Sequence, residues 1–349
     1  MRIWVTGGAG FIGSHLVRHL IRNYPQDHII VVDALTYAGN LANLSDVSQA
    51  PNYTFYKANI ADAPAMEALW QIHPPDAILH LAAESHVDRS ILSPLDFVHT
   101  NVLGTVTLLE LARRHWKSRS DVLFYQISTD EVYGSLSDEG LFTEGTPYDP
   151  RSPYSASKAA ADHFVRAYGH TYGLPYLISN CGNNYGPYQF PEKLIPLTIL
   201  HLMQRKPIPV YGRGENVRDW IYVEDHVRAI DRLLRAGRRG HTYLIGAENP
   251  RRNIEVVSRL CDLYDEITDS QNSRSLITFV TDRPGHDYRY AIEPSPHLLE
   301  LGWCPQVSFD EGLRQTIRWY LDNPDWIAAV QTGEYRHYYE MQYGSRLQG

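Results

Sequence analysis

A run of glycines close to the N-terminus, Gly7-Gly8-Ala9-Gly10-Phe11-Ile12-Gly13, constrains this chain more than any other feature. It follows a short apolar strand, Arg2 to Thr6, and opens a helix with apolar positions at Ile12, Leu16, Leu20 and Ile21. A second strand, Ile29 to Val32, closes on Asp33. Strand, glycine turn, helix and a strand ending in an acid about 20 residues on make a dinucleotide-binding pattern. Glycines permit the tight turn and let the backbone approach a pyrophosphate, the helix N-terminus offers free N–H groups to it, and the acid takes the adenosine ribose hydroxyls. Two frames fit, Gly8-x-Gly10-x-x-Gly13 and Gly7-x-x-Gly10-x-x-Gly13. Asp33 favours NAD over NADP, because a carboxylate there would repel a 2′-phosphate and no arginine follows it directly.

At 349 residues, 43% hydrophobic and 21% charged, the chain can hold one large domain or two modest ones around a substantial core. A net charge of −8 argues against nucleic acid or an anionic membrane as the main partner and leaves small molecules. Met1 leads straight into the first strand, so no signal peptide is expected, and no apolar run approaches a membrane span. Cys181, Cys261 and Cys304 form neither a CxxC nor a paired framework, which fits a cytoplasmic location. The 16 histidines fall in no ligand spacing such as HExxH, and no metal site is expected.

Beyond Asp33, Ala34 to Asn40 is a polar loop where cofactor contacts belong. A strand over Thr54 to Ala58 leads to Asn59-Ile60 and a helix over Ala63 to Ile72, and Ala77 to Leu81 is a buried strand. Asp96 to His115 reads as one long amphipathic helix containing Thr100, Asn101 and Gly104. A buried strand, Val122 to Ser128, then ends in Thr129-Asp130-Glu131; a helix spans Tyr154 to Tyr172, and another strand Leu177 to Asn180. This alternation predicts an α/β fold, a Rossmann-type doubly wound parallel sheet. After Asn180 the alternation stops, and Pro187, Pro191, Pro196, Pro207 and Pro209 suit loops and short helices. The expected division is an NAD-binding domain over 1–182 and a smaller, mainly substrate-binding region over 183–349. The two should interleave, because helices near Val227 to Leu234 and Glu311 to Leu321 have the spacing to pack on the sheet or on each other. The aromatic tail after Asn323 should pack against the body.

Two further patterns carry chemistry. Tyr154 and Lys158 lie one turn apart on a helix. A phenol with a pKa near 10 is a poor base at neutral pH, but a neighbouring ammonium and a nicotinamide cation would favour its phenolate. Asp130 and Glu131 sit together at a strand's carboxyl end, where substrates bind in such sheets, and could divide acid and base work if their environments push their pKa values apart.

The spacing Gly7-x-x-Gly10-x-x-Gly13 resembles extended short-chain dehydrogenase/reductases. Together with Leu81-Ala82-Ala83-Glu84-Ser85, Thr129-Asp130-Glu131, the Tyr154/Lys158 pair, Asn183 to Pro187, Pro191 to Pro196, Asn216 to Trp220 and Asp282 to Asp287, the chain resembles the dTDP-glucose 4,6-dehydratase family as far as about Tyr320. The Thr-Asp-Glu triplet is the most specific of these motifs.

The resemblance implies conversion of dTDP-glucose to dTDP-4-keto-6-deoxyglucose and water, with NAD regenerated at each turn. Tyr154 would deprotonate the sugar 4-hydroxyl, Glu131 would abstract the C5 proton, and Asp130 would be the acid toward the 6-hydroxyl. Thr129 would hold the 4-oxygen, and Lys158 would orient the tyrosine. It implies NAD contacts at Gly7, Gly10, Phe11, Ile12, Gly13, Asp33, Ala34, Leu35, Thr36, Asn59, Ile60, Leu81, Ala82, Ala83, Ser85, Thr100, Tyr154, Lys158 and Asn184. Nucleotide-sugar contacts would come from Ser85, Thr129, Asn183, Lys193, Leu194, Pro209, Tyr211, Arg218, Asn253, Asp282, Arg283, Pro284, Gly285 and His286. Arg218 also fits on chemistry, since a guanidinium fork suits a diphosphate; the competing reading is an ion pair to Asp219 or Glu224. Asn59 departs from the family's usual aspartate, but its side-chain oxygen can still accept a bond from the adenine amino group. A homodimer is implied, through helices near Asn101 to Arg114 and Tyr154 to Tyr172. The alternatives are a UDP-glucose 4,6-dehydratase, a UDP-sugar 4-epimerase or decarboxylase, which needs no acid/base pair for elimination, and a non-catalytic NAD sensor.

Overall fold

The computed structural model describes residues 1–117, 119–331 and 340. Six parallel strands form the body of the main sheet: β1 (Arg2–Thr6), β2 (His28–Asp33), β3 (Tyr53–Lys57), β4 (Ala77–His80), β5 (Leu123–Thr129) and β6 (Tyr176–Cys181). A seventh strand, His241–Ile245, pairs in parallel with β6, giving the order seventh-β6-β5-β4-β1-β2-β3. The chain winds outward in both directions from the β1/β4 boundary. At such a switch point the loops diverge and leave a crevice beyond the strands' carboxyl ends.

Side-chain alternation along each strand builds a core on both faces. Ile3, Val5, Ile29 and Val31 face one way, with Leu16 and Leu20 of helix Phe11–Asn23. Trp4, Ile30 and Val32 face the other, with Leu108, Leu109 and Ala112 of helix Thr105–Trp116. A separate core gathers Tyr185, Trp220, Tyr222, Val256, Leu260, Leu313 and Ile317 in the second lobe.

Three expectations need correction. The alternation does not stop after Asn180: helix Val223–Ala236, which packs on the sheet as its spacing allowed, returns beside Phe11–Asn23 and delivers the seventh strand; Tyr24 and His19 both bond Asp231 on that helix, at 2.7 and 3.1 Å. Helix Phe309–Asp322 joins the second lobe's core instead. The segment read as one helix from Asp96 to His115 is a short helix Pro94–Phe97, a wider i→i+5 turn over Val98–Gly104, and helix Thr105–Trp116. Such a turn accommodates one extra residue, and here Asn101 is drawn inward: its amide bonds both Glu84 backbone groups, at 2.8 and 3.0 Å, and Ser157 Oγ at 2.8 Å. Gly104 follows because any Cβ there would lie 2.6 Å from Ile60 Cδ1.

Of the aromatic tail, helix Pro324–Val330 packs as expected, with Trp326, Ile327 and Val330 buried in the second lobe. The remainder, 332–339 and 341–349, lies outside the described residues.

Candidate active site

A cavity of about 400 Å³ follows the carboxyl ends of the strands from the glycine turn to the second lobe, a size typical of ligand sites. Its first end is backbone-lined by necessity. Gly7 has φ +71°, and a Cβ there would sit 2.7 Å from Ala82 Cα; one on Gly13 would sit 2.2 Å from the Gly7 carbonyl oxygen. Side chains are therefore excluded where a diphosphate would approach the helix N-terminus. Asp33 closes this end. Its Oδ2 accepts the Ala9 N–H at 2.9 Å and its Oδ1 the Leu35 N–H at 2.8 Å, which fixes the carboxyl at the cavity wall. Burial raises its pKa and the two N–H groups oppose that rise. This cradle and acid fit the pyrophosphate and ribose of NAD.

Gly10, Phe11, Ile12, Ala34, Thr36, Asn59, Ile60, Leu81, Ala82, Ala83, Ser85, Thr100 and Asn184 also line the cavity. Leu35 does not: its left-handed backbone, φ 53°, turns the side chain onto the main core, so only its N–H serves the site. Asn59 Oδ1 accepts the Ala61 N–H at 2.9 Å, so the oxygen expected to face adenine already has one partner.

The reacting end is assembled from β5 and one helix. Thr129 ends β5, and its hydroxyl oxygen accepts the Glu131 N–H at 3.3 Å, which turns Asp130–Tyr133 into a single helical turn folded over the strand end. Opposite it, helix Pro153–Tyr172 starts with a reciprocal cap between Ser152 and Ser155 and with Pro153 in its first turn. Tyr154 thereby lines the same cavity as Thr129.

The two acids differ in surroundings. Burial, followed by the charges of Glu131 and Asp219, drives the Asp130 carboxyl well above the usual carboxylate range, opposed by Arg218 and the Thr129 hydrogen bond. Burial also raises Glu131, but Arg283, Lys193 and Arg218 all pull it down. Asp130 is thus the carboxyl that keeps its proton, and Glu131 the one that ionises first. Asp219 is itself pushed up to about 6, chiefly by burial.

The Lys158 ammonium is anchored on β5 at the cavity wall. Its Nζ donates to the Ile127 carbonyl at 2.8 Å, and the carboxylate whose charge supports it is Asp162, one turn further along the helix. The Tyr154 phenol is raised well above 10, by burial and then by Glu131. Lys158, turned to the strand, is not among the groups that offset that rise.

At the far end, Arg218 is buried at 6% exposure and is held by the carbonyls of Val217, Tyr288 and Asp287 at 2.7, 3.3 and 2.9 Å, rather than by Asp219 or Glu224. Its guanidinium stacks on Tyr290, 4.2 Å from the ring centroid. Lys193 Nζ donates to the Ser85 carbonyl at 2.8 Å, and Asn183, Leu194 and Asn253 complete the wall. Asn183 Oδ1 and Asn253 Oδ1 are buried without a hydrogen-bond partner among the described residues, as expected of groups that meet a polar ligand. Pro209, Tyr211 and Asp282 to His286 do not line this cavity. Pro209 sits in a strand paired with Thr278, while Tyr211 and Arg283 converge on Asp88 at 2.9 and 2.7 Å and His286 bonds Asp282 at 2.6 Å. Among the described residues no cluster has the makings of a metal site.

The family model described as GDP-mannose 4,6 dehydratase matches residues 4–316. A curated dTDP-glucose 4,6-dehydratase from Shigella flexneri is 53% identical over 99% of this chain and 100% of its own length. The chain belongs to the dTDP-glucose 4,6-dehydratase family. Solved family structures agree in fold. One from Streptomyces venezuelae, with NAD and the ligand TYD bound, matches at a TM-score of 0.86 and 46% identity, covering 93% of this chain and 98% of that one. One from Bacillus anthracis in complex with NAD matches at 0.85 and 44%, covering 95% and 99%.

Sequence reading missed several residues that shape this dehydratase-family site. Asp162, on the buried face of helix Pro153–Tyr172, accepts Ser128 Oγ at 2.8 Å and the Tyr148 hydroxyl at 2.9 Å; its position four after Lys158 was the available signal. Asp88, Asp219 and Cys181 come near the site only through long-range folding.

Proposed function

We propose that the chain is an NAD-dependent dTDP-glucose 4,6-dehydratase, a hydro-lyase. The observation that carries this reading is the unequal environment of two adjacent carboxyls beside a buried tyrosine: one keeps a proton, the other gives it up, as an elimination requires. The glycine cradle and Asp33 would hold NAD, which would supply the hydride acceptor for the sugar C4 and the hydride donor for C6. Tyr154 accepts the 4-hydroxyl proton, and Thr129 holds the 4-oxygen. The 4-ketone then acidifies the C5–H bond, and Glu131 takes that proton. Asp130 protonates the 6-hydroxyl, which leaves as water, and Glu131, after its proton has exchanged with solvent, delivers one to C5. Lys158 positions the tyrosine helix against β5 and offers its ammonium to the nicotinamide ribose. Arg218, buried yet paired with no acid among the described residues, offers its fork to the diphosphate. Residues 183–349 supply most of the nucleotide-sugar contacts.

Incubating the purified protein with dTDP-glucose or UDP-glucose, without added NAD, tests this reading. A 4-keto sugar lighter by one water from dTDP-glucose is expected. Product only from UDP-glucose would move the base preference, and turnover at unchanged mass would mean epimerisation, which makes no use of Asp130 and Glu131.

A homodimer is proposed too. Leu92, Leu95, Val98 and Leu103 are 61, 79, 51 and 48% exposed, and Phe164 and Tyr172 are 40 and 51% exposed on helix Pro153–Tyr172. A second copy of this chain would cover such a surface. Sedimentation should give twice the 39.9 kDa chain mass; a single-chain mass at micromolar concentration would count against it. The three unpaired thiols, with no helix among the described residues able to cross a membrane, suit a cytoplasmic enzyme.

A further inference from the structure

The cycle above leaves the protein altered, although the nicotinamide is restored. Glu131 takes a proton from C5 and gives one back, so it ends as it began. Tyr154 gains the proton of the 4-hydroxyl and keeps it, because the product carries a ketone there. Asp130 loses its proton to the departing water and regains none. After one turnover the tyrosine carries one proton too many and the aspartate one too few. Before the next sugar can react, one proton must pass from Tyr154 to Asp130.

Bulk water is a poor route for that proton, since Tyr154 and Thr129 are each 8% exposed and Asp130 is 1% exposed. One side chain adjoins both groups. Thr129 Oγ1 donates to Asp130 Oδ1 at 3.3 Å, and Thr129 and Tyr154 line the same cavity, where a long bond tightens once the site is filled. The valences of that oxygen are filled in the order a transfer needs: it accepts from the Glu131 N–H at 3.3 Å, has a second lone pair for the phenol, and points its own hydrogen at the carboxylate.

Resting on the dehydratase reading, we infer that Thr129 relays the resetting proton from Tyr154 to Asp130. The Tyr154 O–H bond breaks as its proton joins Thr129 Oγ1. The threonine's own hydrogen passes to Asp130 Oδ1, leaving a phenolate, a neutral hydroxyl and a carboxylic acid. No external acid, base or oxidant is consumed. The recipient suits the proton, because burial and two neighbouring carboxylates disfavour an ionised Asp130.

Rapid-quench measurement on Thr129→Val and Thr129→Ser separates this relay from the threonine's contact with the 4-oxygen. Loss of that contact slows every turnover alike, whereas loss of the relay slows only those after the first. With Thr129→Val we expect a burst of one 4-keto product per active site, followed by turnovers at least about ten-fold slower than the first, the lower scale of a lost proton-transfer group. Thr129→Ser, which keeps the hydroxyl, should show no burst. Equal slowing of first and later turnovers in the valine variant, or a burst in the serine variant, would overturn the relay and leave the functional reading intact. Should the valine variant fail to retain NAD, Thr129→Ala is the second hydroxyl-free probe, read in the same way. A wild-type protein that does not dehydrate dTDP-glucose would remove the functional reading and the relay with it.

Discussion

Replacing Tyr154 by phenylalanine is expected to lower kcat on dTDP-glucose about 10²- to 10⁴-fold, the range for loss of a positioned proton acceptor. The site has no ready substitute. Thr129 is a neutral hydroxyl, Lys158 is turned to the Ile127 carbonyl, and Asp130 is held protonated by burial and neighbouring carboxylates. The phenylalanine ring fills the same space against Phe97, whose ring lies 6.2 Å away edge-on, so the fold and bound NAD should be retained. The check is single-turnover formation of the 4-keto sugar alongside NAD content and thermal melting. A variant within about three-fold of wild type, well short of the loss expected for a general base, would exclude Tyr154 from that role.

Glu131→Gln should produce the second large loss, again about 10²- to 10⁴-fold, at a different step. The amide cannot accept the C5 proton, so oxidation at C4 is left without elimination. Turnover in D₂O distinguishes this from a general defect: the wild type should place solvent deuterium at C5, and the variant should neither exchange C5 nor release water. The pH profile gives a second signature. Glu131 works ionised and its pKa is raised, so wild-type activity should fall as pH drops through that raised value. Asp130 works protonated and its pKa is raised further, so its proton survives where Glu131 has already ionised. Exchange at C5 at the wild-type rate in the glutamine variant would reassign the base.

Much of this site was legible because its parts are local. The glycine turn, Asp33, the Thr129 to Glu131 triplet and the Tyr154/Lys158 pair each depend on a few adjacent residues with fixed backbone geometry, and each lines the cavity. The helix over Ala63–Ile72 and strand β1 fall where periodicity puts them. What spacing could not convey was direction. Tyr154 and Lys158 are one turn apart, yet the ammonium follows the Ile127 carbonyl and Asp162 rather than the phenol. The interruption at Val98–Gly104 was equally hidden, because Asn101 is held by Glu84 and Ser157, distant in sequence.

By itself the sequence determined the chemistry available: a parallel sheet with a dinucleotide turn, a tyrosine, and two acids at a strand end. Only the tertiary structure decided how that chemistry is divided. Asp219 and the burial of the strand end set Asp130 apart as the acid, while Arg283, Lys193 and Arg218, from three separate segments of the second lobe, pull Glu131 toward ionisation. Charge acts through space in a low-dielectric interior, so acid and base are distinguished by neighbours that chain order does not place beside them.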